Sequence, residues 1–292
     1  MGNLKEIRTR ISSVSSTQKI TSAMKLVSAA KLRRAQNSII GLRPYATKLD
    51  EILSTLSETV DNKGELPFLE VREPKNVVLV VITANRGLCG TFNANVIKET
   101  QRLIREQYAT QQKEGNLSIV CIGRKGYEQL GKHCKIRHYN EQLIDNPAFN
   151  DLTVITNQLL DDFLNHKIDK IEIIYNHFIN PATQRIDVAN FLPVQNLNIE
   201  SGKNQNHDFI FEPSKNELLT ELIPKILRIK MFKSLIDSIA SEHGARMTSM
   251  AKATDNAADM LKELKLKYNN ARQSSITTEL IEIISGANAL DA

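Results

Sequence analysis

Residues 240–258 read ASEHGARMTSMAKATDNAA. The run lies in a stretch without proline from residue 225 to Ala292. Around it, a stripe passes through Leu219, Leu222, Ile226, Ile229, Lys233 and Ile236. It continues by steps of three and four through Ala240, His243, Met247, Met250, Thr254 and Ala258 to Leu261, Leu264, Tyr268 and Ala271. That spacing is the signature of one face of a helix. The small residues in the middle (Ala240, Ala245, Ala251, Ala253, Ala257 and Ala258) let a second helix come close, because side-chain size sets interaxial distance. A helix over the last roughly 70 residues, begun at Pro213-Ser214, would be on the order of 100 Å long.

The partner helix is at the other end of the chain. Leu4, Ile7, Ile11 and Val14 form a narrow coiled-coil-like seam, continued through Ile20, Met24, Val27 and Ala30. The Ser12–Thr17 cluster forms helix poorly, but a deficit of a few tenths of a kcal/mol per residue yields to packing. Gly41 and Pro44 predict a weakening, followed by more helix over Tyr45–Thr59 that ends at Asp61–Gly64. Two helical ends paired antiparallel suggest a shaft rather than a pocket.

Between them the period changes. Val77–Ile82 is an unbroken apolar run, as in a strand buried on both faces. A glycine turn leads to a helix over about Phe92–Tyr108. Strands follow at Leu117–Ile122, Ile136–Tyr139 and Ile171–Phe178, with Arg185–Val194 returning as an antiparallel neighbour. Helices end near Leu130 and cover Leu152–Leu164, the latter with Val154, Ile155, Leu159, Leu160 and Phe163 inward. Alternating strands and helices predict an α/β class with a mostly parallel sheet covered on both faces. The expected organisation is an N-terminal coiled-coil helix (1–60), a Rossmann-like domain (75–195) and a C-terminal coiled-coil helix (212–292).

The formal charge is +5, but residues 1–50 hold ten Lys or Arg against Glu6 and Asp50 alone. Such a helix calls for an acidic partner, nucleic acid, an anionic membrane surface, or only solvent. Cys89, Cys121 and Cys134 have no metal or redox spacing, and their odd number argues against a disulfide framework. No apolar segment opens the chain and none is long enough to span a bilayer. The sequence therefore reads as cytosolic, with membrane contact only through partners.

Candidate chemistry is sparse. The turn Thr83-Ala84-Asn85-Arg86-Gly87-Leu88-Cys89-Gly90-Thr91 follows a strand but lacks both the dinucleotide spacing and the phosphate-loop lysine. It reads as a tight strand-to-helix turn with helix capping. Asp161-Asp162 sits on a sheet-covering helix. The six histidines (His133, His138, His166, His177, His207 and His243) have no partners at metal-ligand spacing, and His243 reads as a hydrogen-bonded group in a packed seam. No catalytic constellation assembles, and no metal or cofactor is implied. The basic helix lacks the aromatic interleaving of a nucleic-acid reader.

Longer motifs carry a resemblance. Lys5-Glu6-Ile7-Arg8, Thr17-Gln18-Lys19-Ile20-Thr21 and Arg43-Pro44-Tyr45 resemble the N-terminus of the gamma subunit of rotary ATP synthases. Arg86-Gly87-Leu88-Cys89-Gly90 matches its central motif. Ala245-Arg246-Met247, Ala253-Thr254-Asp255-Asn256, Ala271-Arg272-Gln273 and Ser275-Ile276-Thr277 match its C-terminus. The resemblance covers the whole chain. It implies a single-copy, non-catalytic shaft inside a hexamer of alpha and beta subunits. The Rossmann-like domain would sit with the epsilon subunit on the membrane c ring, and ion flow would turn the assembly.

Carried over by residue, Arg246, Arg272, Gln273, Thr277 and Glu279 would contact the beta subunits. Met24 and Lys25 would face the acidic lever of beta. The tip from Ile281 through Ile284 to Leu290 would turn in an apolar sleeve, and Phe209 and Phe211 would lie near the c ring. The implied location is the cytoplasmic face of the inner cell membrane, held there by partners. Nucleic acid is not among the implied partners. A coiled-coil scaffold or nucleic-acid-binding protein is the alternative reading.

Overall fold

The computed structural model describes residues 2–58, 67–194 and 215–290. Its elements are α1 (Gly2–Glu58), a short 3-10 turn at Pro67–Leu69, β1 (Val77–Ile82), α2 (Phe92–Glu106), α3 (Ala109–Lys113), β2 (Leu117–Ile122) and α4 (Arg124–Leu130). They continue with β3 (Lys135–Asn140), α5 (Gln142–Asp145), α6 (Phe149–Leu164), β4 (Lys170–Phe178), β5 (Gln184–Leu192) and α7 (Lys215–Leu290). The chain divides into two units, Met1–Ser28 with Met247–Ala292, and Ala29–Arg246. The architecture is the expected α/β class with a long helix at either end.

In the larger unit a five-stranded sheet has the order β3-β2-β1-β4-β5. β1 pairs in parallel with β2 and β4, β2 in parallel with β3, and β4 antiparallel with β5. Every residue of β1 and β2 is buried, which is why β1 reads as an unbroken apolar run and β2 as one broken only by the small Ser118. On one face Val77, Leu79, Val81, Ile119 and Cys121 pack with Val96, Leu103 and Ile104 of α2 and Leu130 of α4. Burying each such aliphatic side chain contributes roughly 1.5–3 kcal/mol. On the other face α6 lies beside Val120 through Ile155 and Leu159.

One expected core residue of α6 is misplaced: Val154 is 59% exposed. The buried face runs Leu152, Ile155, Thr156, Leu159, Leu160 and Phe163. Thr156 takes the place because its hydroxyl donates to the Leu152 carbonyl at 2.8 Å, so its burial leaves no group unpaired.

The expected weakening at Gly41 and Pro44 does not interrupt α1, which runs through both, and α7 runs through Pro224. A proline inside a helix costs about 3 kcal/mol. Buried Ala46 and Leu49 after the first proline, and Ile223, Ile226 and Leu227 around the second, offset that cost. Within this unit the two helices run antiparallel. Lys31 lies in the field of Glu242 and His243, whereas Asn37 and Ile40 share a cavity lining with Lys233 and Ile236.

In the smaller unit the inward face of α1 is Leu4, Ile7, Ile11, Val14, Gln18, Thr21 and Ser28. The expected continuation is therefore incorrect at Ile20, Val27 and Ala30, which are exposed, whereas Met24 is half-buried and stays in the seam. Ile20 and Val27 are 60% and 58% exposed, whereas Thr21 and Ser28 are buried. The seam keeps its three-four spacing beyond Val14 and accepts short polar side chains there. The Thr21 and Ser28 hydroxyls donate to the carbonyls of Gln18 and Met24, at 3.1 and 2.7 Å. Thr254 of α7 donates to the Thr21 hydroxyl at 2.8 Å. The inward positions of α7 here include Ala258, Leu261, Leu264, Tyr268 and Ala271 of the expected stripe, with Ala257 and Ser275 added to it, whereas Lys233 of that stripe, in the larger unit, is exposed.

Candidate functional site

In an open sheet of this order, β1 is flanked by strands whose connections leave in opposite directions. The crevice at the carboxyl ends of β1 and β4 is where such folds usually hold a ligand. Here α7 crosses it. Every residue from Ser234 to Arg246 is buried, so this stretch is covered on all sides of the helix. Many of those residues are polar: Ser234, Asp237, Ser238, Ser241, Glu242, His243 and Arg246.

The anchors of this segment reach residues far away in the sequence. The Ser241 hydroxyl donates to the Asn176 carbonyl on β4 at 3.0 Å. Asp237 meets Nδ1 of His177 at 3.0 Å. Gly244 lies against the loop after β4, where a Cβ at residue 244 would come within 3.1 Å of Pro181. Ala245 packs with Ala84, Cys89 and Phe92. The Arg246 guanidinium pairs with Glu242 one turn back and donates to the carbonyls of Arg86 and Gly87 at 3.3 and 3.4 Å.

The turn after β1 is tight, with positive φ at Leu88 (64°) and Gly90 (60°). The capping expected with it does not come from Thr91, whose side chain makes no cap bond. Asn93 instead accepts from the Ala84 amide at 2.9 Å. Asn85 accepts from the Arg124 amide at 3.0 Å, and Thr83 Oγ1 accepts from the Gly126 amide at 2.8 Å. Gly123 adopts a φ of 106°, and a Cβ there would lie 2.0 Å from the Thr83 carbonyl oxygen. The first three amides of α4, those of Arg124, Lys125 and Gly126, are thus engaged by the chain itself and are not free to cradle a phosphate.

Burial sets the electrostatics. It pushes the Glu242 carboxyl up against the pull of Arg246. It also lowers His243 to about 4, helped by the nearby Arg246 and Lys31 charges, so His243 is neutral at neutral pH. The Arg246 Nη1 atom lies 3.4 Å from His243 Nδ1, in keeping with the hydrogen-bonded seam histidine read from the sequence. The Cys89 thiol is pushed up by burial and is no ready nucleophile.

The other sequence-derived residues are placed differently. Arg272, Gln273, Thr277 and Glu279 are all exposed on α7, and Lys25 is exposed and Met24 half-buried on α1. From Ile276 to Ala287 every residue is exposed, including Ile276, Leu280, Ile281, Ile283 and Ile284. The Leu290 side chain, together with Phe209 and Phe211, lies outside the described residues. Asp162 of the Asp161-Asp162 pair is bridged to Arg137 and Lys167.

The ATP synthase family model matches residues 3–290. An ATP synthase gamma chain of Flavobacterium johnsoniae is 49% identical over 291 residues, spanning all of both chains. One from Geotalea daltonii is 44% identical over 290 residues, covering 99% of each. This chain belongs to the ATP synthase gamma-chain family. Its fold is similar to a chain in the Euglena gracilis mitochondrial ATP synthase (OSCP/F1/c-ring, rotational state 3), with a TM-score of 0.66 at 18% identity. That match covers 99% of this chain and 95% of the other. A chain in the central stalk and c ring of the Tetrahymena thermophila enzyme is similar at a TM-score of 0.57 and 23% identity, covering 80% of this chain and 99% of that one.

Family membership lends no support to the alternative of a coiled-coil scaffold or nucleic-acid-binding protein. Sequence reasoning missed the filling of the crevice by Ser234–Arg246. Its polar residues look like the solvent face of an amphipathic helix. The available signal was their size: three serines and an aspartate are short enough to lie against strand ends.

Proposed function

We propose that this chain is the central rotor shaft of an F-type ATP synthase. It couples ion flow through a membrane c ring to ATP synthesis or hydrolysis in an alpha/beta hexamer, and regulates ATPase activity. The chain is a non-catalytic subunit, present once per complex, with alpha, beta, epsilon and the c ring as partners. It binds no cofactor or nucleic acid of its own. Among the described residues no helix is long and apolar enough to cross a membrane. Its attachment is therefore peripheral, through partners, at the cytoplasmic face of the inner cell membrane.

The observation that carries this reading is the stretch of α7 beyond Ser275. Twelve consecutive residues are exposed there, and five of them are large and apolar. A contiguous apolar surface of that kind marks an interaction site. In a rotor the end of this stretch, from Ile281, is the bearing tip, with Ile281, Ile284 and Leu290 in an apolar sleeve of the hexamer. Apolar contact is non-directional, so a tip built this way holds position without ion pairs that would have to break at each step.

Below the tip, exposed Arg272, Gln273, Thr277 and Glu279 form the polar belt for the beta subunits. Arg246 was matched to the same belt. Its guanidinium is engaged inside the chain, so any effect on beta runs through the groups it holds. Near the N-terminus, Met24 and Lys25 face the acidic beta lever. Exposed Ile20, Leu26 and Val27 supply apolar contact on the same helix, and its excess positive charge supplies attraction. The work divides among the segments 1–60, 75–195 and 212–292 as helix, foot domain and helix.

Two experiments test this. Tagged chain should copurify with alpha, beta and epsilon subunits; recovery with nucleic acid in their place would overturn the reading. Replacing Arg272 and Gln273 together by Ala should lower coupled ATPase or torque about tenfold with unchanged folding. Unchanged rotation in the assembled complex would remove the role given to this pair.

A further inference from the structure

We infer that Glu242 and Arg246 form a latch that fixes α7 in the crevice of the sheet. Arg246 is thus a positioning residue for transmission between the α/β domain and the helix. The inference rests on the rotor reading and adds to it a place where torque crosses inside this chain.

The geometry has three parts. First, Arg246 spans two structures: Nη1 holds the Glu242 carboxylate of its own helix, and Nη2 holds the carbonyls of Arg86 and Gly87 in the loop after β1. Second, the helix is pinned on another side by the loop after β4, through the Gly244 contact with Pro181 and the Ser241 bond to the Asn176 carbonyl. Third, Ala245 fills the apolar space between these anchors, against Ala84, Cys89 and Phe92.

Ser241, Gly244 and Ala245, at i, i+3 and i+4, share one face of the helix, and Arg246 lies about 100° further round. Contacts on these two sides resist rotation of the helix about its own axis as well as sliding along it. A single apolar stripe would resist neither strongly, since apolar contact is non-directional. The charged pair makes this joint specific. Both side chains are nearly buried, at 10% and 6% exposure for Arg246 and Glu242. A buried guanidinium that lost its carboxylate would be left uncompensated, so the pair has one favourable arrangement. Arg246 offers the planar fork that can serve a carboxylate and two carbonyls together, which lysine cannot.

Glu242 separates this role from direct contact with another subunit. It is buried in this chain, so a change at Glu242 reaches a partner only through Arg246 and the turn it holds. The test uses the complete complex in membrane vesicles, with ATP hydrolysis and ATP-driven ion pumping measured side by side. Glu242→Gln keeps the shape of the side chain and removes its charge. It should lower pumping per ATP hydrolysed about fivefold while hydrolysis stays within about twofold. Arg246→Gln should lower the same ratio by a similar factor, and the double variant should be no worse than the worse single.

A normal ratio in Glu242→Gln beside a low ratio in Arg246→Gln would overturn the latch, because Arg246 would then act on a partner directly. Normal ratios in both variants would overturn it as well, leaving the pair a purely structural role. If the variants assemble poorly, hydrogen exchange on the full-length free chain decides. The amides of Ala84 and Phe92, which are bonded across the turn, should exchange at least tenfold faster in Glu242→Gln, with β1 and β2 unchanged; unaltered exchange there would overturn the latch. Failure of the unaltered chain to join alpha and beta subunits would instead refute the rotor reading, so the two failures are distinguishable.

Discussion

Two stretches of the same helix invert the usual pattern. From Ser234 to Arg246, α7 is rich in polar and charged residues and is buried throughout. From Ile276 to Ala287 it is rich in isoleucine and leucine and is exposed throughout. Polar burial is tolerated in the first because the chain supplies most of the partners: a carbonyl for Ser241, an arginine for Glu242, a histidine for Asp237, with the Ser238 hydroxyl the exception. Apolar exposure in the second has no such cover among the described residues, and in the proposed rotor the covering surface comes from other subunits. Burial thus marks where the chain completes itself, and exposure marks where the proposed assembly would.

The strongest way to break this contrast is to remove a partner from the buried stretch. Arg246→Ala leaves Glu242 buried without its counter-charge and two carbonyls without a donor. A broken buried pair costs about 3–5 kcal/mol, so urea unfolding of the α/β unit should shift by that amount. A loss below about 1 kcal/mol would mean that water reaches Glu242 and that the stretch is not closed.

Acid should act on the same place through His243. Folding depresses its pKa from the ordinary 6.5 to about 4. Between those values the unfolded chain binds the proton and the folded chain does not, so stability falls as pH drops through this window. The full difference is about 3 kcal/mol. Glu242, pushed up by burial, works the opposite way: the folded chain takes its proton first, which favours folding as pH falls past the raised value. His243→Gln should remove the histidine part. Denaturation midpoints at pH 7 and pH 4.5 should then lie closer together than in the unaltered chain, and an unchanged gap would show that His243 is solvated.

Much of this contrast was legible in the sequence, and the illegible part has a physical cause. β1 and β2 were readable to the residue because strands buried on both faces are apolar almost throughout, Ser118 being their one polar position. The exposed tip was readable because Ile281, Ile283 and Ile284 fall on more than one side of a helix. The seam of α1 was misread where Thr21 and Ser28 enter it, since a hydroxyl that bonds its own helix backbone buries at little cost and leaves no hydrophobic mark. The latch was unreadable for a related reason. Glu242 and Arg246 at i,i+4 are an ordinary surface pair in a sequence, and only the crossing of the sheet by α7 encloses them.

A smaller effect tests the polar part of the α1 seam. Thr254→Val removes the 2.8 Å hydroxyl contact with Thr21, while Thr21 keeps its own bond to Gln18. The loss should be about 1 kcal/mol or less, the net worth of one hydrogen bond with no partner stranded. Thermal melting followed by helix circular dichroism measures it, and a loss above about 2 kcal/mol would give the seam a share of the stability that its half-buried residues do not suggest.

The smallest effect on the free chain should come from the most apolar positions. Replacing Ile281 and Ile284 together by Asp exchanges two exposed side chains for charged ones, and substitutions of exposed residues rarely exceed about 0.5 kcal/mol. Urea midpoints of the isolated chain should therefore stay unchanged, or even gain in solubility. The same double variant placed in the complete complex puts two carboxylates where an apolar sleeve is proposed. Desolvating them without partners is costly, so ATP-driven rotation should slow or the complex should dissociate. Stability lost in the free chain would mean that the tip folds back on its own helix. Full rotation in the complex would mean that nothing apolar surrounds the tip, and that its exposure has another cause.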